Sequence, residues 1–268
     1  MIVRKSSLAK IPYPLTLLSM FGIALVAYTI LGIIGDQPFK VTIWQGVAIV
    51  TMAITLGYGG NVASLKAVGI APNPGYSLVI SKSYVLFTTI VAILFMGAST
   101  SHRKLTAILI IVAFSALIMV DRKGAKHVSS NRWITLSVAA FFAFGLLSLG
   151  SKYLFGHGVS TIPFLIYFFG VVTGCIVLRN KITVSTVLKL SSRDKFLLLG
   201  TGIFFTLFNL GNFEAINKAP NVGYVNAVNA ASISLVTIMS AILFKDELSP
   251  KKGLGIAGVT AGLLLLLI

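Results

Sequence analysis

Residues 71–76 read Ala71-Pro72-Asn73-Pro74-Gly75-Tyr76 and return as Ala219-Pro220-Asn221-Val222-Gly223-Tyr224, with five of the six positions identical at a shift of 148. Each copy opens a long apolar run. Further matches at a shift of 148 or 149 follow in the same order along the chain: Asn61 with Asn209, Ala67 with Ala215, Arg103-Lys104 with Lys251-Lys252, and Ala92-Ile93-Leu94-Phe95 with Ala241-Ile242-Leu243-Phe244. An ordered series of matches indicates an internal duplication, so we predict two related halves.

The apolar runs around these repeats are long enough to cross a lipid bilayer. Of the 268 residues, 56% are apolar and 10% are charged, and the mean hydropathy is +0.96. A membrane-spanning helix needs about 20 mostly apolar residues, and its backbone must satisfy its own hydrogen bonds. Nine such runs cover residues 11–35, 41–65, 76–96, 105–120, 133–155, 160–178, 196–216, 222–244 and 253–268. The sequence therefore predicts an all-α, polytopic membrane helix bundle.

The two predicted halves are unequal in length. The last four runs match the first four, whereas the run 133–155 has no counterpart before residue 11. We therefore expect a first repeat of four helices over 1–127 and a second of five helices over 128–268, nominally ten helices with the first one missing. A five-helix unit is odd, so its second copy is inverted relative to the first. Inverted repeats are the common architecture of alternating-access carriers.

The end of the chain resembles a known family. The run from Ala230 ends in Lys245-Asp246-Glu247-Leu248-Ser249 and is followed by glycines from 253 to 262 and a leucine-rich terminus. This pattern resembles the closing hairpin of the drug/metabolite transporter superfamily, in particular of its EamA-type transporters. The resemblance implies two inverted five-helix repeats around a central cavity for a small metabolite. Glu247 matches the family's usual glutamate before the last helix, whereas the equivalent place in the first half, Met96-Gly97-Ala98-Ser99, has no acid.

Lys82 is the clearest candidate for a substrate-binding residue. It lies about 10 Å along the predicted helix 76–96, beside Ser81, Ser83 and Tyr84. A charge near the bilayer centre costs about 2.5–3.5 kcal/mol even on the mildest scale, which indicates a function. The alternative is a lysine whose long stem reaches the membrane interface. We predict that Lys82, with Ser81 and Tyr84, contacts the substrate and favours a carboxylate or another electron-rich small molecule.

Asparagines supply a second candidate set. Asn226 and Asn229 are three residues apart and share a helix face, and Asn209 lies in the preceding run. We predict that these amides contact a polar substrate; the alternative is that they link helices, at about 0.6 kcal/mol per hydrogen bond. Glu214 is the most membrane-embedded acid. It is the coupling candidate if transport uses protons, and interfacial anchoring is its alternative role.

Enzyme chemistry finds little support in the sequence. The three histidines lie far apart in predicted loops, the only adjacent acids are Asp246-Glu247, and Cys175 is a lone cysteine. We therefore expect no catalytic residue, metal or cofactor, and no enzyme activity. The Gly57-x-Gly59-Gly60 sequence lies within a span without a preceding strand, which excludes a phosphate-binding loop. Like the glycines at 253, 255 and 258, these glycines are predicted to let helices approach closely.

The basic residues predict the orientation. Lys and Arg total 22 against 6 acids, for a net charge of +16. Because the bases concentrate in loops, we interpret them as topology signals rather than as a nucleic-acid surface. Alternating the loops puts 16 on one side and 5 on the other, with Lys82 in the membrane, which predicts a cytoplasmic N-terminus and a C-terminus on the far side. We expect a multi-pass protein of the cell (inner) membrane whose partners are a small-molecule substrate and the lipid bilayer, present as monomer or homodimer.

The sequence thus predicts a secondary active transporter of a small polar metabolite, amino acid-like or another carboxylate, that works by alternating access. A multidrug or cation exporter of the same fold is one alternative. A channel or scaffold that transports nothing is the other. Saturable, gradient-driven counterflow in liposomes distinguishes a carrier from a pore.

Overall fold

The structure is a computed structural model that describes residues 11–36, 39–71, 74–120, 131–182, 186, 190–244 and 248–268. These residues form long helices and no strand. The helices are α1 (Tyr13–Ile34), α2 (Ile43–Ile70), α3 (Pro74–Lys82 and Tyr84–Met96), α4 (His102–Met119), α5 (Arg132–Gly156), α6 (Thr161–Asn180), α7 (Ser192–Lys218), α8 (Val222–Phe244) and α9 (Pro250–Leu267). Lys245, Asp246 and Glu247 lie outside the described residues.

Nine helices within the described ranges are long and apolar enough to cross a membrane, as predicted. The chain is therefore a multi-pass membrane helix bundle. Several helices extend beyond the predicted apolar runs because polar residues cap them. The hydroxyl of Ser191 accepts from the Asp194 N–H at 3.1 Å before α7, and the hydroxyl of Ser249 accepts from the Lys252 N–H at 3.4 Å before α9. Such capping satisfies amides that the first turn leaves unpaired.

The helices form two compact units, and each unit combines two segments that are distant in the sequence. The first unit comprises residues 1–58 and 151–217, and the second comprises residues 59–150 and 218–268. The chain thus passes from one unit to the other three times: within α2, within α5 and at the last residue of α7. The predicted repeats, 1–127 and 128–268, describe a duplication of sequence and remain a prediction.

In the first unit, α1 packs along α6 through aromatic side chains. Phe21 lies against Phe169 and Phe205, with ring centroids 5.3 and 5.1 Å apart. The buried Tyr28 packs on Phe169 and donates its hydroxyl hydrogen to the carbonyl of Thr206 at 2.7 Å. Lipid tails are as apolar as these side chains, so close packing and hydrogen bonds, rather than the hydrophobic effect, hold such helices together.

In the second unit, glycines on one face of α9 let it pack tightly and antiparallel against α4. A methyl group at Gly258 would lie 2.2 Å from the ring of Phe114, and one at Gly255 would lie 2.5 Å from Ile118. This confirms the predicted close approach at those two glycines. The prediction is wrong for Gly253, because no described atom lies within 4 Å of a methyl group placed there. Gly253 sits in the first turn of α9, before the helix meets α4.

Helix α2 changes its hydrogen-bonding pattern halfway. Its α-helical parts, Ile43–Met52 and Gly60–Ile70, are joined by a π-helical segment, Ala53–Gly59. A methyl group at Gly57 would lie 2.5 Å from the Phe168 ring within the first unit. One at Gly60 would lie 2.7 Å from the side chain of Ala143 within the second unit. Both glycines therefore serve close helix packing, as predicted.

Candidate functional site

Helix α3 is interrupted at Ser83, next to Lys82. The hydroxyl of Ser83 donates to the carbonyl of Ile80 at 2.7 Å, and that of Ser81 donates to the carbonyl of Leu78 at 3.3 Å. Serine hydroxyls that bond back to the preceding turn compete with the helix ladder and bend the helix. The helix resumes at Tyr84. The predicted substrate residues Ser81, Lys82 and Tyr84 thus surround an irregular turn of a membrane-spanning helix.

A small pocket opens at this turn within the second unit. Lys82 and Ser83 line it together with Ser115 of α4 and Ala230 of α8. Ser115 is buried, and its hydroxyl donates to the carbonyl of Ala230 at 3.4 Å. The remaining lining residues are apolar: Val79, Val112, Ala116 and Met119. The pocket therefore combines one ammonium group with two hydroxyl groups on an otherwise apolar wall.

The pocket is small and lies toward one end of the second unit. Its volume is about 10 Å³, the space of about one water molecule. Its α4 residues, from Val112 to Met119, belong to the last two turns of that helix. A metabolite does not fit in the pocket in this conformation.

Asn226 forms hydrogen bonds that link three helices of the second unit. Its side chain is 1% exposed. Its amide nitrogen donates to the Thr88 hydroxyl of α3 at 3.0 Å, and its oxygen accepts from the Ser148 hydroxyl of α5 at 3.4 Å. These are the bonds expected for a helix-linking amide. Contact between Asn226 and a substrate remains a prediction.

The other predicted residues of the second unit differ in their surroundings. Tyr84 is buried against Phe144, with ring centroids 6.3 Å apart. Asn229 is half-buried one turn from Asn226, and its carbonyl accepts from the Ser232 hydroxyl at 2.6 Å. Tyr84 of α3 therefore packs against α5.

Asn209 and Glu214 both lie on α7 and belong to the first unit. Asn209 is 9% exposed, and its amide donates to the carbonyl of Phe205 one turn earlier, at 2.8 Å. Glu214 is half-buried. The role of Glu214 in coupling remains a prediction, as does the contact of Asn209 with a substrate.

Sequence reasoning missed three hydroxyl residues of the second unit: Ser115, Thr88 and Ser148. All three are buried and bond to another helix. A signal existed for Ser115, because it continues the buried face of α4 at helical spacing from Ile108 and Ile111 to Ile118. The periodicity of α4 does not indicate which helix packs against that face. Among the described residues, no group of three His, Cys, Asp or Glu side chains is placed to hold a metal.

Comparisons with known proteins concern the fold. No family model and no curated protein matches the chain. One solved structure, described only as the crystal structure of a protein, is similar with a TM-score of 0.76 at 14% sequence identity. The similarity covers 98% of this chain and 92% of that chain. At this identity the likeness establishes a shared fold.

Proposed function

We propose that the protein is a secondary active transporter that carries a small, carboxylate-bearing metabolite by alternating access, as EamA-type transporters of the drug/metabolite superfamily do. The observation that carries this proposal is the pocket at the interruption of α3, where Lys82 meets Ser83 and Ser115. Carriers often build their binding sites at broken membrane helices. An ammonium group with neighbouring hydroxyl groups suits a carboxylate, because charge-assisted hydrogen bonds are strong in a dry environment.

Contacts between α4 and α9 support the inverted repeat. A methyl group at Gly262 would lie 3.2 Å from the carbonyl oxygen of Ala107, and one at Gly255 would lie 3.2 Å from that of Phe114. At the shift of 148, Ala107 corresponds to Gly255 and Phe114 corresponds to Gly262. Replacing each residue by its equivalent therefore turns one contact into the other, as a twofold axis between the two repeats requires.

The same correspondence gives Lys82 a special position. Its equivalent at the shift of 148 is Ala230, and both residues line the one pocket. A pocket lined by a residue and by its equivalent supports the pairing of α3 with α8 between the two repeats. The pocket therefore presents a single ammonium group, and the alanine opposite leaves room for a ligand once the helices separate.

Transport of defined probes tests the proposal. Liposomes with purified protein are assayed for counterflow of labelled L-alanine, L-glutamate and lactate, and of tetraphenylphosphonium as a permanent cation. We expect saturable counterflow of at least one carboxylate. Lys82→Ala should lower its rate at least about tenfold, equivalent to about 1.4 kcal/mol. Lys82→Arg should rescue only part of the rate, because a planar guanidinium does not replace a compact ammonium.

The matched control is Lys66→Ala, which removes an exposed lysine near the end of α2 and should leave counterflow near the wild-type rate. Wild-type rates in Lys82→Ala would contradict the substrate role of this residue. A tetraphenylphosphonium transport rate that is unchanged in Lys82→Ala would favour the cation exporter. Flux of the carboxylates without saturation would favour a channel.

A further inference from the structure

A much larger groove lies in the first unit, along one face of α1. Its volume is about 720 Å³, within the range of small-molecule sites. One continuous helical stripe of α1, from Leu15 through Gly22 to Ile30, forms most of its wall. At 1.5 Å per residue, this stripe is about 22 Å long, which exceeds half of the bilayer's hydrocarbon thickness of about 30 Å. The stripe is apolar apart from Ser19, whose hydroxyl donates to the carbonyl of Leu198.

A lysine closes one end of this groove. Lys195 of α7 lines it, beside Leu198 and Leu199. The bonds from Ser19 to Leu198 and from Tyr28 to Thr206 show that α1 and α7 run parallel, so Lys195 lies at the end of the groove where both helices begin. Lys195 is exposed. The groove is thus apolar along its length and cationic at one end.

The sequence around Lys195 is strongly basic. Five bases and one acid occur between residues 179 and 195. The acid, Asp194, accepts a hydrogen bond from the Ser191 hydroxyl at 2.8 Å and caps α7. Charge bias assigns this connection to the cytoplasmic side, where membrane leaflets are rich in anionic lipid. The positive end of the groove therefore faces the leaflet that offers it a negative partner.

We infer that this groove binds an anionic phospholipid of the surrounding bilayer. One acyl chain lies along the α1 stripe between Leu15 and Ile30, and the phosphate lies at Lys195. The apolar wall suits the chain, and the ammonium suits the phosphate as a point charge. A second copy of the protein suits the groove less well. A twofold axis along the membrane normal would bring two Lys195 side chains to the same depth, and like charges would face each other.

Lipid retention on the purified full chain tests the assignment. The delipidated protein is titrated with dioleoyl phosphatidylglycerol or dioleoyl phosphatidylcholine, and bound lipid is counted by native mass spectrometry. We expect the anionic lipid to be retained about fivefold better, the preference that one lysine supplies near a headgroup. Lys195→Gln should abolish the preference. Lys66→Gln, which removes an exposed lysine elsewhere, should preserve it.

A second pair of variants separates the acyl site from simple charge attraction. Gly22→Leu places a side chain in the groove, and it should lower retention of both lipids. A methyl group at Gly22 meets only the Leu18 side chain at 3.7 Å, an ordinary contact, so the Cβ of the new side chain does not clash. Gly174→Leu on α6 is the control, since no described atom lies within 4 Å of a methyl group there. Ala27→Leu carries the same expectation if Gly22→Leu does not fold.

Three results would overturn the assignment. The first is equal retention of the two lipids by the wild-type protein. The second is a preference that survives Lys195→Gln, or retention that survives both groove-filling variants. The third is a dimer, seen by mass photometry, that dissociates in Gly22→Leu. This would indicate that a second copy of the protein occupies the groove. None of these outcomes depends on transport.

Discussion

A single buried amide in this protein illustrates how polar residues act within a membrane bundle. Asn226 bonds to hydroxyl groups of α3 and α5, and both hydroxyl-bearing residues are buried. Each such bond contributes modestly, about 0.6 kcal/mol on average, because an unfolded helix in the membrane also finds partners. The value of the amide lies in its geometry, since one side chain fixes three helices together.

Replacing Asn226 tests whether it links helices. Asn226→Ala removes both bonds, and we expect a stability loss of about 1 kcal/mol. The measurement is the thermal unfolding of the detergent-solubilised protein. Asn180→Ala is the matched control, because the exposed Asn180 amide donates to Ile176 of its own helix. Unchanged unfolding in Asn226→Ala, together with lost substrate counterflow, would instead make Asn226 a substrate ligand.

At the scale of elements, the glycine face of α9 governs how closely two helices pack. The ring of Phe114 fills the space over Gly258, so any side chain there must displace it. We predict that Gly258→Ala destabilises the protein by about 1–3 kcal/mol, as overpacking does. Gly253→Ala should be neutral or stabilising, because alanine gains up to about 1 kcal/mol of helix propensity in open space. Urea or thermal unfolding compares the two variants, and equal effects would contradict the packing argument.

Helix positions followed from the sequence, whereas helix irregularities did not. Apolar run length located every described span, because the bilayer sets that length physically. The run 76–96 gave no sign of the irregular turn at Ser83, whose hydroxyl bonds to the carbonyl of Ile80, since serine is also tolerated in regular helices. Likewise, the π-helical segment of α2 lies where Gly57 meets Phe168, a contact made by a distant part of the chain.

At the candidate site, the sequence likewise predicted single residues better than it predicted which helices contact each other. Lys82 was identifiable because an ionisable group in an apolar run is rare. Its correspondence to Ala230 stays a prediction of the repeat, and both residues line the pocket. The partner of Ser115 was not identifiable, because the period of α4 defines its buried face without defining the helix that covers it.

At the scale of the whole molecule, the distribution of basic residues predicts the orientation of the bundle. Counting Lys and Arg alone, 16 fall on one side and 5 on the other, which predicts a cytoplasmic N-terminus. Contacts within the second unit agree with the alternation used for that count. The Lys251 ammonium, at the start of α9, donates to the carbonyl of Val120 at the end of α4 at 2.6 Å, so the end of α4 and the start of α9 lie at one end of the unit. At the other end, the Tyr224 hydroxyl donates to the carbonyl of Ser99 at 3.1 Å.

Reporter fusions test this orientation at two adjacent connections. Because α9 crosses the membrane once, a reporter after Leu248 and a reporter after Ile268 should lie on opposite sides. We expect green fluorescent protein to fluoresce when fused after Leu248, and alkaline phosphatase to be active when fused after Ile268. The reverse pair of fusions is the control, and both members should be silent, since the first reporter folds only in the cytoplasm and the second only outside it. A fluorescent fusion after Ile268 with an inactive phosphatase there would invert the assignment, and it would also move Lys195 away from the anionic cytoplasmic leaflet.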